Sequence, residues 1–590
     1  MTDTRKSLSA VPAPSPAVPP PARPVPPPTP AVPAPAPAVP PPPAPKQKEA
    51  AEGGTDGGPG SLSSGSSSSS ASSGSSGRFL ARAAFLTALL TAVGALLGLL
   101  RDQTIAHLYG AGPDTDAFLV AWTLPEMAAT LLIEDAMALI LVPAFSLALA
   151  RRATQPSPDP VRLLMRTTLP RLFLGLSAGA ALLIAAAPWV VAALAPGLAD
   201  PRLAVDCTRL TATSAFTFGM AGYFSAALRA HGSFVAPAMI YAAYNAGIIA
   251  TMLALRDRWG VRAAAIGVAL GGVLMMLVQV PTLWRRLKER RPVTGQEPQT
   301  AGGGPPVALG LIAPVIVFAL TRQSQVLIER FLAAPLPAGA ISHLNYAQKV
   351  AQIPMTLSLM LCTVTFPVVA RAMAAGETDR ARRRVEHDLA LAAVIVLSGA
   401  ATVVACAPQI IEVLFQRGAF DRGDTAATAS VIRVYALGLL GHTLVGALVR
   451  CYFSAARPLW FPALAMIVGL ALTTGAGALL VNVWGVLGIA AANALGITVT
   501  AALMLGAVGR HSVPVRLRHV CGGLVKLSAG AAAATGSGWL CGALIPSPVV
   551  GAAVACVVVA AVFLVIARAL RVPEIDILFR PLTRKLAHAR

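Results

Sequence analysis

The side chains in this sequence that could do chemistry are ionisable groups set inside apolar stretches. Arg101 and Asp102 stand together at the end of one apolar run, and Glu126, Glu134 and Asp135 fall along the next. Arg322 sits near the middle of a third run, after LGLIAPVIVFAL and inside the polar step TRQSQ, with Glu329 and Arg330 at its end and Lys349 on the run that follows. An ionisable group at bilayer depth costs at least about 2.5–3.5 kcal/mol, so each must face a cavity, a partner or the interface. The chemistry open to them is the binding of charge. No phosphate-cradling Gly-rich loop, kinase signature or Ser/His/Asp arrangement occurs, and the seven cysteines form no CxxC pair or metal spacing, so no catalytic residue, metal ligand or cofactor is expected. Arg322 reads as a cavity-lining cation or as half of a structural ion pair with Glu134 or Asp135. Arg101-Asp102 also fits a helix-end pair, and His442 a hydrogen-bonded packing residue.

The elements that position these groups must cross a membrane. The chain has 590 residues, 55% apolar and 12% charged, too little polar surface for a soluble domain. The apolar residues come in blocks of about 20, the length that carries an α-helix across about 30 Å of hydrocarbon. Runs such as Ala555–Ala567 are continuously apolar, without the period-2 alternation of a membrane β-barrel. The expected fold is therefore an all-α polytopic membrane protein of about fourteen transmembrane helices, from residues 80–100 to 549–570. The net charge of +21 does not point to nucleic acid, because the arginines are scattered over short loops. They sort by side: Arg151, Arg152 and Arg162, then Arg285, Arg286, Lys288, Arg290 and Arg291, then Arg380, Arg382, Arg383 and Arg384, then Arg510, Arg516 and Arg518. The opposite loops carry few or none, which predicts cytoplasmic N- and C-termini.

Residues 1–77 are Pro/Ala-rich and then Gly/Ser-rich, a composition that cannot bury enough apolar surface to order itself. This segment reads as a disordered cytoplasmic spacer or a polyproline-type ligand for a partner. Downstream the chain repeats at a shift of about 225 residues: Trp259-Gly260-Val261 recurs as Trp484-Gly485-Val486, and Pro237-Ala238 as Pro462-Ala463. An even number of spans separates the copies, so they should be parallel six-helix lobes, residues 78–304 and 305–510, with residues 511–590 adding two C-terminal helices. A substrate site is expected between the lobes near the midplane. Pro125 and Pro354 interrupt two spans and should break helices that line it.

The segment Gly98–Pro143, with its RD, GAG, TDAF, LP and VP elements, resembles the first two helices of the MurJ/MviN family of lipid II flippases. Leu336–Pro354 (LPAGAISHLNYAQKVAQIP) and Leu414–Phe420 (LFQRGAF) are similar to later segments of that family. The resemblance implies the V-shaped two-lobe fold of the multidrug/oligosaccharidyl-lipid/polysaccharide exporter superfamily, with the last two helices forming a lipid-tail groove. It implies a bacterial inner membrane and movement of a polyprenyl-diphosphate-linked glycan lipid to the outer leaflet by alternating access. The expected cavity holds Arg101, Asp102, Asp116, Glu134 and Lys349 together with Arg322, placed there by its mid-span position, with membrane lipids as partners and cell-wall synthesis or division proteins reached through the N-terminal tail. The family pattern has arginines where this chain has Ala95, Ala129-Thr130 and Lys349. The acids of helices 11 and 12 that bind sodium in some relatives are absent. Because Arg322 is an addition, the anion site is expected to lie toward the second lobe. Lipid II transport leads the functions considered. Export of another polyprenyl-linked glycan, a drug or cation antiporter, and a non-transporting lipid-binding scaffold are the alternatives.

Overall fold

A computed structural model describes residues 71–154, 159–288, 309–453 and 459–571. Most of the Pro/Ser-rich segment lies outside them, while α1 begins at Ala71, within the stretch read from composition as tail. Every regular element among the described residues is a helix. The first group comprises α1 (Ala71–Tyr109), α2 (Pro113–Ala129), a π-helical segment (Thr130–Ala136), α3 (Met137–Thr154), α4 (Pro160–Leu194), α5 (Pro201–Ala230), α6 (Val235–Trp259), α7 (Arg262–Leu277) and α8 (Val280–Lys288). The second comprises α9 (Leu309–Ala333), α10 (Ala340–Ala374), α11 (Thr378–Ala405), α12 (Ala407–Phe415), α13 (Arg422–Ala436), α14 (Leu439–Phe453), α15 (Phe461–Trp484) and α16 (Val486–His511). After them come α17 (Leu517–Ala543) and α18 (Pro548–Ala569), which pack on each other and against α11 and α12.

Local chemistry sets the helix starts. Asp159 accepts hydrogen bonds from Val161 N and Arg162 N at the start of α4, Asp200 accepts one from Leu203 N at the start of α5, and Asp421 and Asp424 form a reciprocal capping box on α13. Within each group, tight helix pairs meet through small residues: Gly247 and Gly271 between α6 and α7, and Gly469 and Gly496 between α15 and α16, where Thr473 and Thr500 fill the space. The outside carries exposed apolar side chains, among them Leu182, Trp189, Leu479, Val483, Val557 and Val565, as a hydrocarbon solvent requires.

Among the described residues nine helices are long and apolar enough to cross a membrane, or ten spans if α13 and α14, bent by 47°, form one. The fourteen expected from sequence include α5, α9, α10 and α17, which carry many hydroxyls, amides or charges. Those of α5 and α9 are in large part buried against neighbouring helices, as with Thr208, Thr211 and Ser214 of α5 and Gln325, Glu329 and Arg330 of α9. The repeated tripeptides adopt matching conformations. Gly260 ends α6 at φ 53, ψ −137 and Gly485 ends α15 at φ 55, ψ −128, and each N–H bonds back to a carbonyl of the helix it closes.

That backbone region is essentially reserved for glycine. Gly260→Ala and Gly485→Ala should each lower stability by about 1–3 kcal/mol even though open space surrounds both positions. Gly536→Ala, in an open helical site on α17, should be neutral or stabilising by about 0.5–1 kcal/mol. Thermal unfolding of the three purified variants in one detergent checks the contrast.

Candidate functional site

The site begins with Arg101, buried near the end of α1. Its Nε and one terminal nitrogen donate to Asp102 Oδ1 at 3.0 and 2.8 Å, and the other terminal nitrogen donates to Asn245 Oδ1 of α6 at 2.9 Å. Asn245 in turn donates to the Gly94 carbonyl at 3.0 Å, so α1 and α6 are tied through one side chain. The guanidinium also lies 4.3 Å from the centre of the Trp122 ring, whose indole N–H donates to Tyr244 at 3.2 Å. The cation is thereby neutralised and oriented inside the first group.

Pro125 is buried one turn after Ala121 on α2 and cannot donate to its carbonyl. Thr211 Oγ1 of α5 supplies the missing bond at 3.1 Å. The expected break at Pro125 is not seen, since α2 stays helical through it to Ala129; the winding loosens to π-helical only from Thr130 to Ala136. Glu134 lies on this segment, and its side chain is outside the described residues, as is that of Asp135. At Pro354 the expected break is corrected: α10 keeps helical winding from Ala340 to Ala374. The proline ring is accommodated against Gly399 of α11, where no side chain stands in its way.

The two helix groups meet where α1 ends and α10 begins. Asp116, buried in the first turn of α2, accepts from Gly339 N at 2.7 Å, Ser342 N at 2.7 Å and Ser342 Oγ at 2.5 Å. A carboxylate at a helix N-terminus is a favourable arrangement, and here the helix belongs to the other group. Ala419 N donates to the His107 carbonyl at 2.9 Å, and Tyr346 OH donates to the Gly110 carbonyl at 3.4 Å. Further along α2, Lys349 of α10 donates to Glu126 Oε1 at 2.8 Å, with its ammonium 5.9 Å from the centre of the Trp122 ring. This end of the bundle is closed.

Inside the second group, Arg330 is buried and donates to the Ile341 carbonyl at 3.1 Å and Asn345 Oδ1 at 3.2 Å. The adjacent Glu329 accepts from Asn493 of α16, which also contacts His442 at 3.2 Å, and His442 stacks on Tyr435. Arg322, two turns earlier on α9, is exposed, reaches His442 electrostatically, and makes no hydrogen bond or ion pair among the described residues. The structure therefore brings Arg101, Asp102, Asp116 and Lys349 to one end and leaves Arg322 apart from them on the second group. Sequence reading noted Glu126 and did not single out Trp122, Asn245, Ser342 or Asn493. Trp122 and Glu126, one helical turn apart on α2, were the available signal.

A family model described as "Lipid II flippase MurJ" matches residues 105–559. The lipid II flippase MurJ of Burkholderia cenocepacia is 28% identical over 384 residues, covering 64% of this chain and 73% of the relative. A probable lipid II flippase MurJ of Bdellovibrio bacteriovorus is 26% identical over 459 residues, covering 74% and 83%. Among solved structures, a lipid II flippase MurJ in an inward closed conformation aligns with TM-score 0.67 at 17% identity, covering 85% of this chain and all of that one. An inward-facing multidrug resistance transporter of the MATE family, from the MOP superfamily, aligns with TM-score 0.57 at 15% identity, covering 74% and 99%.

The Asp116 latch yields a direct expectation. Asp116→Asn sets an amide NH₂ against donors and should cost the closed end about 1–3 kcal/mol. Ser342→Ala, which leaves both backbone donors in place, should cost less. Hydrogen–deuterium exchange over residues 335–343 should be fastest in Asp116→Asn and intermediate in Ser342→Ala.

Proposed function

Because the chain belongs to the lipid II flippase MurJ family, we propose that it moves lipid II, an undecaprenyl-diphosphate-linked peptidoglycan precursor, from the inner to the outer leaflet of the bacterial inner membrane. The observation that carries this reading is the charged closure between the two helix groups. Asp116 and Glu126 of α2, a helix long and apolar enough to cross a membrane, meet the second group through hydrogen bonds that can part. A diphosphate cannot cross hydrocarbon unaided, and cations in a water-filled space between two lobes replace its hydration with charge-assisted hydrogen bonds. On this reading the lobes are residues 78–304 and 305–510, both termini are cytoplasmic, and the closed end faces outward. Transport proceeds by alternating access, without bond-making chemistry.

Arg101 is spoken for by Asp102 and Asn245 and acts as a structural cation of the site. Arg322 and Lys349 are the cations assigned to the head group. Arg322 supports this through its freedom from an ion pair among the described residues, and Lys349 through its partial exposure. Flipping of a different polyprenyl-diphosphate-linked glycan is the second reading. It is favoured by Ala129-Thr130 and Lys349 in place of family arginines.

The test is complementation of a strain depleted of its lipid II flippase, with accumulated precursor quantified by mass spectrometry. The wild type should restore growth and clear lipid II. Arg322→Ala should slow clearance about tenfold to a hundredfold, the loss expected for one charge-assisted contact. Membrane-inserted wild type that leaves lipid II accumulated would move the assignment to another polyprenyl-linked glycan.

A further inference from the structure

The acids and cations at the closed end differ sharply in how firmly they are held. Asp102, Asp116 and Glu329 are buried, and each is committed to partners named above. Arg101 and Arg330 are likewise buried, each with two acceptors. The Glu126–Lys349 pair is the exception: the side chains are 40% and 27% exposed. Among the described residues the Glu126 carboxylate accepts from Lys349 alone, and that bond crosses from α2 of the first group to α10 of the second.

We propose that Glu126 is a built-in competitor for the anionic head group: it occupies Lys349 in the empty transporter, and a diphosphate that takes its place releases this tie between the lobes. The inference rests on the reading of the chain as a transporter of a diphosphate-bearing lipid. Three physical points carry it. A partly exposed ion pair contributes little, whereas a diphosphate brings more than one negative charge and several acceptor oxygens to the same ammonium, so the exchange is favourable. Before the lobes part, the Trp122 ring beside the ammonium holds Lys349 in position without neutralising it, so the diphosphate meets a placed cation. A ligand drives a conformational change only through its differential affinity for the two states. Lys349 is occupied in the closed state and free once the lobes part, and this supplies that difference.

The experiment uses the full-length protein in nanodiscs with undecaprenyl diphosphate as probe. It measures binding by native mass spectrometry and opening by hydrogen–deuterium exchange over residues 107–116 and 335–343. In the wild type, saturating probe should speed exchange in both segments. Glu126→Gln should bind the probe with a Kd lower by about fivefold and should exchange faster before any probe is added. Glu126→Ala carries the same expectation should the glutamine variant fold poorly. The double variant Glu126→Gln/Lys349→Gln should lose the affinity gain while keeping the faster exchange. Equal probe affinity in wild type and both single variants, or exchange in the wild type that the probe does not change, overturns the competitor role while leaving the transport reading intact. Absence of probe binding in every form, with the protein folded, overturns both.

Discussion

A charge at bilayer depth must carry its counter-charge with it, and the organisation of this bundle follows from where those partners sit. Some partners lie within one helix group: Asp102 and Asn245 for Arg101, Asn345 and the Ile341 carbonyl for Arg330, and Asn493 for Glu329. These contacts are buried, and, apart from the Arg101–Asp102 pair within α1, each ties one helix to a neighbour of its own group. Others lie across the groups, at Asp116 and at Glu126. They are the bonds that must break for the groups to move apart. The division between retained and exchanged contacts is a division of partners, made with the same few residue types.

The same rule governs the backbone. No water is present in hydrocarbon to satisfy a freed carbonyl, so an irregular helix persists only where protein supplies the missing donor. Thr211 does this for Ala121 opposite Pro125, which lets α2 carry a proline and then a π-helical segment next to the charged cluster. This irregular helix lies mainly against α5, where Gly222 lets the π-helical backbone at Leu132 and Ile133 approach closely.

Much of this was legible in the residues. Apolar block length announced an all-helical membrane protein, and Trp-Gly-Val at two places announced an equivalence that Gly260 and Gly485 display in their dihedrals. Arg101-Asp102 was readable because adjacent opposite charges in an apolar run have few alternatives. The cross-group contacts were not readable, because Asp116 and Gly339 are separated by more than two hundred residues and nothing local in TDAF marks an acceptor for another helix's N-terminus. Arg322 stood out in sequence as the most isolated charge. The structure leaves it exposed and outside the closed cluster, without a hydrogen bond or ion pair among the described residues. The span count was less legible, because buried hydroxyls and charges lower the apolar character of helices such as α5 and α9.

The choice of lysine at position 349 is consistent with an exchanged contact. An arginine can grip a carboxylate through two parallel bonds and loses less freedom for each bond formed. Lys349 meets Glu126 through a single bond on a flexible stem, with an aromatic face close by. A point charge of that kind re-forms its contacts with a ligand of different shape at little geometric cost. Where the chain needs permanence, at positions 101 and 330, it uses arginine and buries it. Where the two groups must part, it uses lysine and leaves the pair partly open.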